Sequence, residues 1–361
     1  MPAATPASAP RIVFVGAGAI GGYAGALLTR AGHDVTLVDG WPEHVEKIRR
    51  DGFAIDGMTP AESVVVPMQP LHICDVPQLS KQRPFDIAVI AMKSYDTEWA
   101  AHLIRPYVAP NGYFVSMQNS INEERLAGVV GWGKTVGCCV SLLAAELDRP
   151  GHVQRHIHLG GDAHTVYRVG EVHGRITPRV EQLAALLRAA DSAMATTNLW
   201  GERWSKLIIN VMRNGLCAAT GLGGNARDLA QQTRRCSFKR GSEAVRVGQA
   251  LGYSISPQQG LEPETLALAG EGNGDALAEI ENVLIELAGR RGDGQRPSMA
   301  QDMHKGRRTE IDYLNGLIAT EGAKIGVAAP VNARLTELVG RVERGEFAPS
   351  PGLVADWKVI G

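Results

Sequence analysis

Residues 11–40 read RIVFVGAGAIGGYAGALLTRAGHDVTLVDG: an apolar run entering glycine, a helical spacing closed by Gly32, and a second apolar run ending on Asp39. A strand, a helix and a strand in this order form a βαβ unit, because parallel strands need a crossover helix between them. Gly16, Gly18 and Gly21 have the spacing G-x-G-x-x-G at the strand-to-helix turn, with Ala19 and Ile20 between the last two. The first glycine permits a tight turn, the second lets backbone approach a pyrophosphate, and the third permits close helix packing. The helix N-terminus behind them favours phosphate charge. Asp39 stands where a carboxylate accepts from the adenosine ribose hydroxyls and repels a 2′-phosphate. This stretch predicts a dinucleotide site in which NAD is favoured and NADP is the alternative. Asp39 can also simply start the turn DGWP, since Asp-Gly is a strong turn pair.

With 361 residues the chain exceeds what one core usually supports, so two domains are expected. The balance of 37 basic and 38 acidic residues argues against nucleic acid and against an anionic membrane surface. No apolar stretch reaches the roughly 18 residues of a bilayer span, and MPAATPASAP lacks a signal-peptide core. A soluble, cytoplasmic chain with a frayed leader is expected. Cys74, Cys138, Cys139, Cys217 and Cys236 lack C-x-x-C spacing and suit a reducing compartment.

Beyond the first unit, FDIAVIAMK and YFVSMQN read as strands around an amphipathic helix at TEWAAHLIRPYV, the alternation of a doubly wound sheet. Residues 135–171 read as shorter strands, and PRVEQLAALLRAA as a helix closing this half. Past Trp200 the spacing is helical throughout, including RRTEIDYLNGLIATEGAKIG. The fold class expected is α/β: a Rossmann-type dinucleotide-binding domain over 10–197, then an all-α substrate domain over 198–350.

Two further stretches carry chemistry. In WSKLIINVMRNGLCA, Lys206, Asn210 and Asn214 recur every four residues among apolar neighbours, which places them on one stripe of a helix. Buried lysine is costly unless it has work or a partner. The other stretch, SMAQDMHKGRRTEIDYLNG, combines Ser298, Asp302, Arg307 and Glu310 and by itself reads as a charged amphipathic helix.

Taken in order, G-A-G-A-I-G, A-M-K, Q-N, W-S-K-L-I-I-N and S-M-A-Q-D…R-R-T-E-I-D resemble the ketopantoate reductase (2-dehydropantoate 2-reductase) family over nearly the whole chain. That resemblance implies a helical second domain and a cleft where a 2-oxo acid is reduced. It implies that Lys206 is the general acid and that Glu310 holds the lysine and the product hydroxyl. Asn210 and Asn214 fall on substrate-contacting positions, Ser298 on one that holds the substrate carboxylate, and Lys93 and Asn119 on positions closing over the cofactor. Ser298 and Glu310 on one straight helix would lie roughly 18 Å apart, so the chain must turn between them.

The chain departs from the family at three places. Members that use NADPH commonly carry a basic residue just after the second strand, where this chain has Asp39, Gly40 and Trp41. Ser120 stands where the family usually has glycine, and Gln295 where it often has asparagine. The resemblance implies a 2-oxo or 2-hydroxy acid as the small-molecule partner. Ketopantoate is the first expectation; a bulkier branched or aromatic acid, handled by an NAD-linked D-2-hydroxyacid dehydrogenase, is the alternative. A catalytically silent dinucleotide sensor would dispense with Lys206 or Glu310, and another two-domain dehydrogenase would lack the pairing of KLIIN with RRTEID. His156 and His158 alternate as on a solvent face, and no metal is expected. Subunit number stays open, with a homodimer as the assembly considered.

Overall fold

The computed structural model describes residues 9–290 and 296–357. The first eight residues of the leader and Gln295 lie outside the described residues. The chain divides into two units, Met1–Leu199 and Trp200–Gly361.

The first unit runs β1 (Arg11–Val15), α1 (Gly21–Arg30), β2 (Asp34–Asp39), α2 (Pro42–Asp51), β3 (Phe53–Asp56), β4 (Val64–Val66) and β5 (Leu71–His72). It continues through β6 (Phe85–Ile90), α3 (Thr97–Ile104), β7 (Val108–Ser116), α4 (Glu123–Val130) and β8 (Thr135–Val140). It ends with β9 (Ala145–Arg149), β10 (His152–Arg155), β11 (Tyr167–Glu171), α5 (Pro178–Leu187) and β12 (Ala193–Thr196). The main sheet has the order β12-β11-β8-β7-β6-β1-β2-β5, parallel except between β8 and β11. Both its faces are covered. Ile12 and Phe14 of β1 enter one core cluster while Val13 and Val15 enter the other, which is why the parallel strands read as unbroken apolar runs. From β1 the chain winds outward to β2 and β5, then returns to β6 on the other side of β1. The β1/β6 boundary is thus the switch point, outside whose carboxyl ends ligands bind in such sheets.

The short strands expected over 135–171 are present as β8 to β11, of which β9 and β10 join β3 and β4 in a small sheet of order β4-β3-β10-β9. One sequence expectation needs correction here: helix α5 does not close the unit, because the short β12 follows and pairs in parallel with β11. Pairings between segments so far apart in sequence leave no local signature.

The second unit holds α6 (Leu199–Thr220), α7 (Gly224–Leu229), α8 (Gln231–Ala250), α9 (Pro263–Glu271), α10 (Gly274–Arg290), α11 (Ser298–His304), α12 (Asn315–Lys324) and α13 (Pro330–Glu343). Residues 307–326 are not one helix. A short 3-10 turn occupies Ile311–Tyr313, and α12 starts only at Asn315. Side chains bond the backbone ahead of it: Thr309 N–H donates to the Glu343 carboxylate and Ile311 N–H to Thr309 Oγ1. Such bonds compete with a helical ladder. Among the described residues, no helix is long and apolar enough to cross a membrane.

Candidate active site

At the carboxyl end of β1, Gly16 adopts φ +104°, a conformation that side chains rarely take. A Cβ there would also press on the Ala91 carbonyl, 2.8 Å away, and one on Gly21 would collide with Gly16 O and Ala91 Cβ. The loop therefore lies directly on the backbone leaving β6. Ala19 and Ile20 carry it into α1, with Ile20 as the residue before the first helical turn. Asp39, at the end of β2, accepts the Ala17 N–H at 2.8 Å through Oδ2 and the Trp41 N–H at 2.9 Å through Oδ1. It does start the turn, as its alternative reading holds, and it also ties β2 to the glycine loop. An ionised carboxylate has about four lone-pair sites, so acceptor capacity is left for hydroxyls.

Lys93 and Asn119 stand beyond the carboxyl ends of β6 and β7, on the same edge of the sheet as the loop. Gln118 holds these two ends together. Its side-chain amide donates to Met92 O at 3.0 Å, Lys93 O at 3.3 Å and Thr97 Oγ1 at 2.9 Å. The Asn119 carbonyl accepts from Asn122 Nδ2 at 2.6 Å. Ser120, where the resemblance led to the expectation of glycine, takes a left-handed backbone at φ +66°. Such a φ imposes strain on a side chain.

In the second unit, α6 is buried on nearly every side. Between Gly201 and Thr220 only Glu202, Lys206, Asn210 and Arg213 are partly exposed, and they form one stripe. Lys206 is thus half-buried rather than fully buried as its apolar neighbours suggested, because the helix opens along that stripe. Asn214, one turn on, is buried. The Nδ2 group of Asn210 is buried with no hydrogen-bond partner among the described residues. An unmet amide costs about 1–3 kcal/mol, so a position of this kind calls for a polar group from outside.

Ser298 opens α11, which ends at His304; the chain then turns through Lys305 and Gly306 before reaching Glu310. The break demanded by their separation is present. Glu310 is buried at the start of the 3-10 turn. Its neighbour Ile311 lies against α6: a Cβ on Gly215 would stand 2.9 Å from Ile311 Cδ1 and 3.0 Å from Asn315 Oδ1. Asn315 Nδ2 donates to Val211 O at 3.0 Å and to Asn332 Oδ1 at 2.8 Å. Arg240 donates to the Val211 and Met212 carbonyls at 3.2 and 3.0 Å. Burial pulls its guanidinium down to about 10, which leaves it charged at neutral pH. Asn315 thus fixes α6 against the segment that carries Glu310, and Arg240 fixes it against α8.

Sequence reasoning missed Asn315, Arg240, Arg213 and His44. Arg213 extends the α6 stripe and donates to Gln259 Oε1 at 2.7 Å. Its spacing from Asn210 was visible, whereas the fixing roles of Asn315 and Arg240 depend on partners many residues away.

The family model described as "Ketopantoate reductase PanE/ApbA" matches residues 12–169, and its C-terminal counterpart matches residues 198–343. The 2-dehydropantoate 2-reductase of Archaeoglobus fulgidus is 30% identical, over 93% of this chain and 98% of that one. That of Pyrococcus horikoshii is 28% identical, over 91% and 96%. Among solved structures, the PanE/ApbA family ketopantoate reductase from Ralstonia eutropha is similar at a TM-score of 0.75 with 27% identity, over 93% and 99% of the two chains. A D-mandelate dehydrogenase, solved with NADH and anilino(oxo)acetate, shares the fold at a TM-score of 0.75 with 22% identity, over 93% and 98%. The two consecutive matches cover most of both units, and the chain belongs to the ketopantoate reductase family of nicotinamide-dependent oxidoreductases.

Proposed function

We propose that this protein reduces a small 2-oxo acid to the 2-hydroxy acid, with 2-dehydropantoate as the first substrate to test. The observation that carries the reading is the partly exposed stripe of α6, on which Lys206 precedes by one turn the buried, unpartnered amide of Asn210. A polar ligand placed there satisfies Asn210 and meets the lysine.

When bound, a reduced nicotinamide supplies hydride to the carbonyl carbon. The residues that would hold that cofactor are Gly16, Gly18, Ala19, Ile20, Gly21 and Asp39, together with Lys93 and Asn119. Gly18 suits this use, because a Cβ there would meet nothing within 4 Å and its backbone stays approachable. Lys206 Nζ donates a proton to the carbonyl oxygen as negative charge grows on it, the step in which a positioned acid contributes most. Glu310 keeps the ammonium charged and holds the new hydroxyl. Asn210 and Asn214 bind the acid, and Ser298 Oγ bonds its carboxylate.

Asp39, with no Arg or Lys following it until Lys47, supports NAD(H) over NADP(H). That favours a second reading, an NAD-linked D-2-hydroxyacid dehydrogenase for bulkier branched or aromatic acids, in keeping with the fold shared with the NADH-bound D-mandelate dehydrogenase. A panel of 2-oxo acids assayed with NADH and with NADPH separates the two. Highest kcat/KM on 2-dehydropantoate supports the first reading, and highest kcat/KM on a branched or aromatic acid with NADH supports the second. No turnover on any acid leaves a silent dinucleotide sensor. Cytoplasmic location and a homodimeric assembly complete the proposal, the latter to be read by light scattering.

A further inference from the structure

We propose that His44 is a positioning residue for cofactor binding: it sets the plane of the Ala17–Gly18 peptide and so aims the Gly18 N–H at the pyrophosphate. The inference rests on the glycine loop being the pyrophosphate site.

His44 lies in the first turn of α2 and is fully buried. Its ring stacks on Trp41, with centroids 5.5 Å apart and planes 12° apart, and meets the edge of Phe53 at 6.0 Å. Both nitrogens are engaged. The Gly151 N–H, from the turn between β9 and β10, donates to Nδ1 at 2.8 Å, while Nε2 lies 2.9 Å from the Ala17 carbonyl oxygen. A nitrogen that accepts an N–H carries no proton, so the proton sits on Nε2 and donates to Ala17 O. The distant small-sheet turn thus selects one neutral tautomer of the ring, and that tautomer grips the loop.

The consequence follows from peptide geometry. A planar trans peptide points its C=O and the next N–H in opposite directions, and no peptide among the described residues is cis. With the Ala17 oxygen held inward on a buried imidazole, the Gly18 N–H turns outward, around a residue whose missing Cβ leaves open space. The preceding peptide is held independently by Ala17 N–H on Asp39. Glycine makes a flip of the Ala17–Gly18 peptide easy, and a flipped peptide would present a carbonyl to the phosphates. His44 keeps the donor orientation in place before the anion arrives.

Two substitutions separate the ring's two bonds. His44→Gln keeps a donor near the Nε2 position and loses the acceptor for Gly151, whereas His44→Asn keeps that acceptor and loses the donor to Ala17. NADH and ADP-ribose, which carries the pyrophosphate without nicotinamide, serve as probes in titrations of the full chain. The dissociation constants of both should rise about tenfold in His44→Asn and stay within about threefold in His44→Gln, the loss falling on the cofactor KM more than on kcat. Equal loss in the two variants, or loss that follows melting temperature rather than the donor atom, overturns the proposal. Nitrogen NMR of the wild-type ring is an independent check that needs no variant. A proton on Nε2 supports the proposal, and one on Nδ1 overturns it. If ADP-ribose fails to bind the wild type, the loop assignment itself falls and takes the proposal with it; if it binds and the two variants bind alike, only the role of His44 falls.

Discussion

Asp39 Oδ2 accepts the backbone N–H of Ala17 at 2.8 Å, joining the end of the second strand to the middle of the glycine loop. The residue taken to choose the cofactor is therefore also part of the loop's scaffold. A carboxylate and a 2′-phosphate about 4 Å apart repel by roughly 1 kcal/mol per charge pair in water and by about 4 at an effective dielectric near 20. Wild type should prefer NADH to NADPH by tenfold or more in kcat/KM, tenfold being about 1.4 kcal/mol. Asp39→Ala with Gly40→Arg should invert the ratio. There is room for the arginine, since a Cβ on Gly40 first meets Ile73 Cδ1 at 3.5 Å. Losing the bonds to Ala17 and Trp41 should also lower stability, by about 1 kcal/mol for each. A wild type that prefers NADPH would leave Asp39 with the scaffold role alone.

Lys206→Ala should lower kcat by a factor on the order of 10² or more, the usual contribution of a general acid. NADH affinity should stay near that of wild type. Turnover within a few-fold of wild type at saturating substrate would remove Lys206 from the chemistry.

For Glu310→Gln the loss should fall on kcat more than on substrate KM, because the amide keeps the shape but no longer stabilises an ammonium. The pH profile of kcat should lose or shift a limb. A normal rate with an unchanged profile would make this buried carboxylate structural only.

Away from the site, Glu171 and Arg179 form a pair at 2.5 and 2.7 Å, with Thr177 Oγ1 donating to the same carboxylate. Burial pushes the Glu171 carboxyl up, and the bonds from Arg179 and Thr177 outweigh it, so the group is held below the usual carboxylate range. A depressed carboxylate stabilises the fold above its unfolded pKa, and that contribution fades as pH falls through the folded value. Arg179→Met should cost about 2–3 kcal/mol at pH 7, less than for fully buried pairs because Arg179 is partly exposed. The gap to wild type in urea denaturation should narrow as pH falls below the usual glutamate value of about 4.3 and on through the lower folded value of wild-type Glu171, where the pair loses its charge. A gap that does not change with pH would mean that lost packing of the arginine stem accounts for the cost.

Local chemistry made much of this molecule readable in one dimension. The spacing of the glycines at 16, 18 and 21 is a local signature, although the Ala91 atoms that press on Gly16 and Gly21 come from the backbone leaving β6, and the recurrence of Lys206, Asn210 and Asn214 follows from helical spacing alone. Two-domain order and the helical second half are likewise properties of local periodicity. What the tertiary structure decided are the long-range pairings, which carry no local periodicity: the transfer of β9 and β10 to the small sheet, and the anchoring of α6 by Arg240 and Asn315. Nothing within α2 marks His44 as more than a histidine on an apolar face. Its partners are Ala17, 27 residues before it, and Gly151, 107 residues after it, and only folding brings an acceptor and a donor to the two sides of one ring.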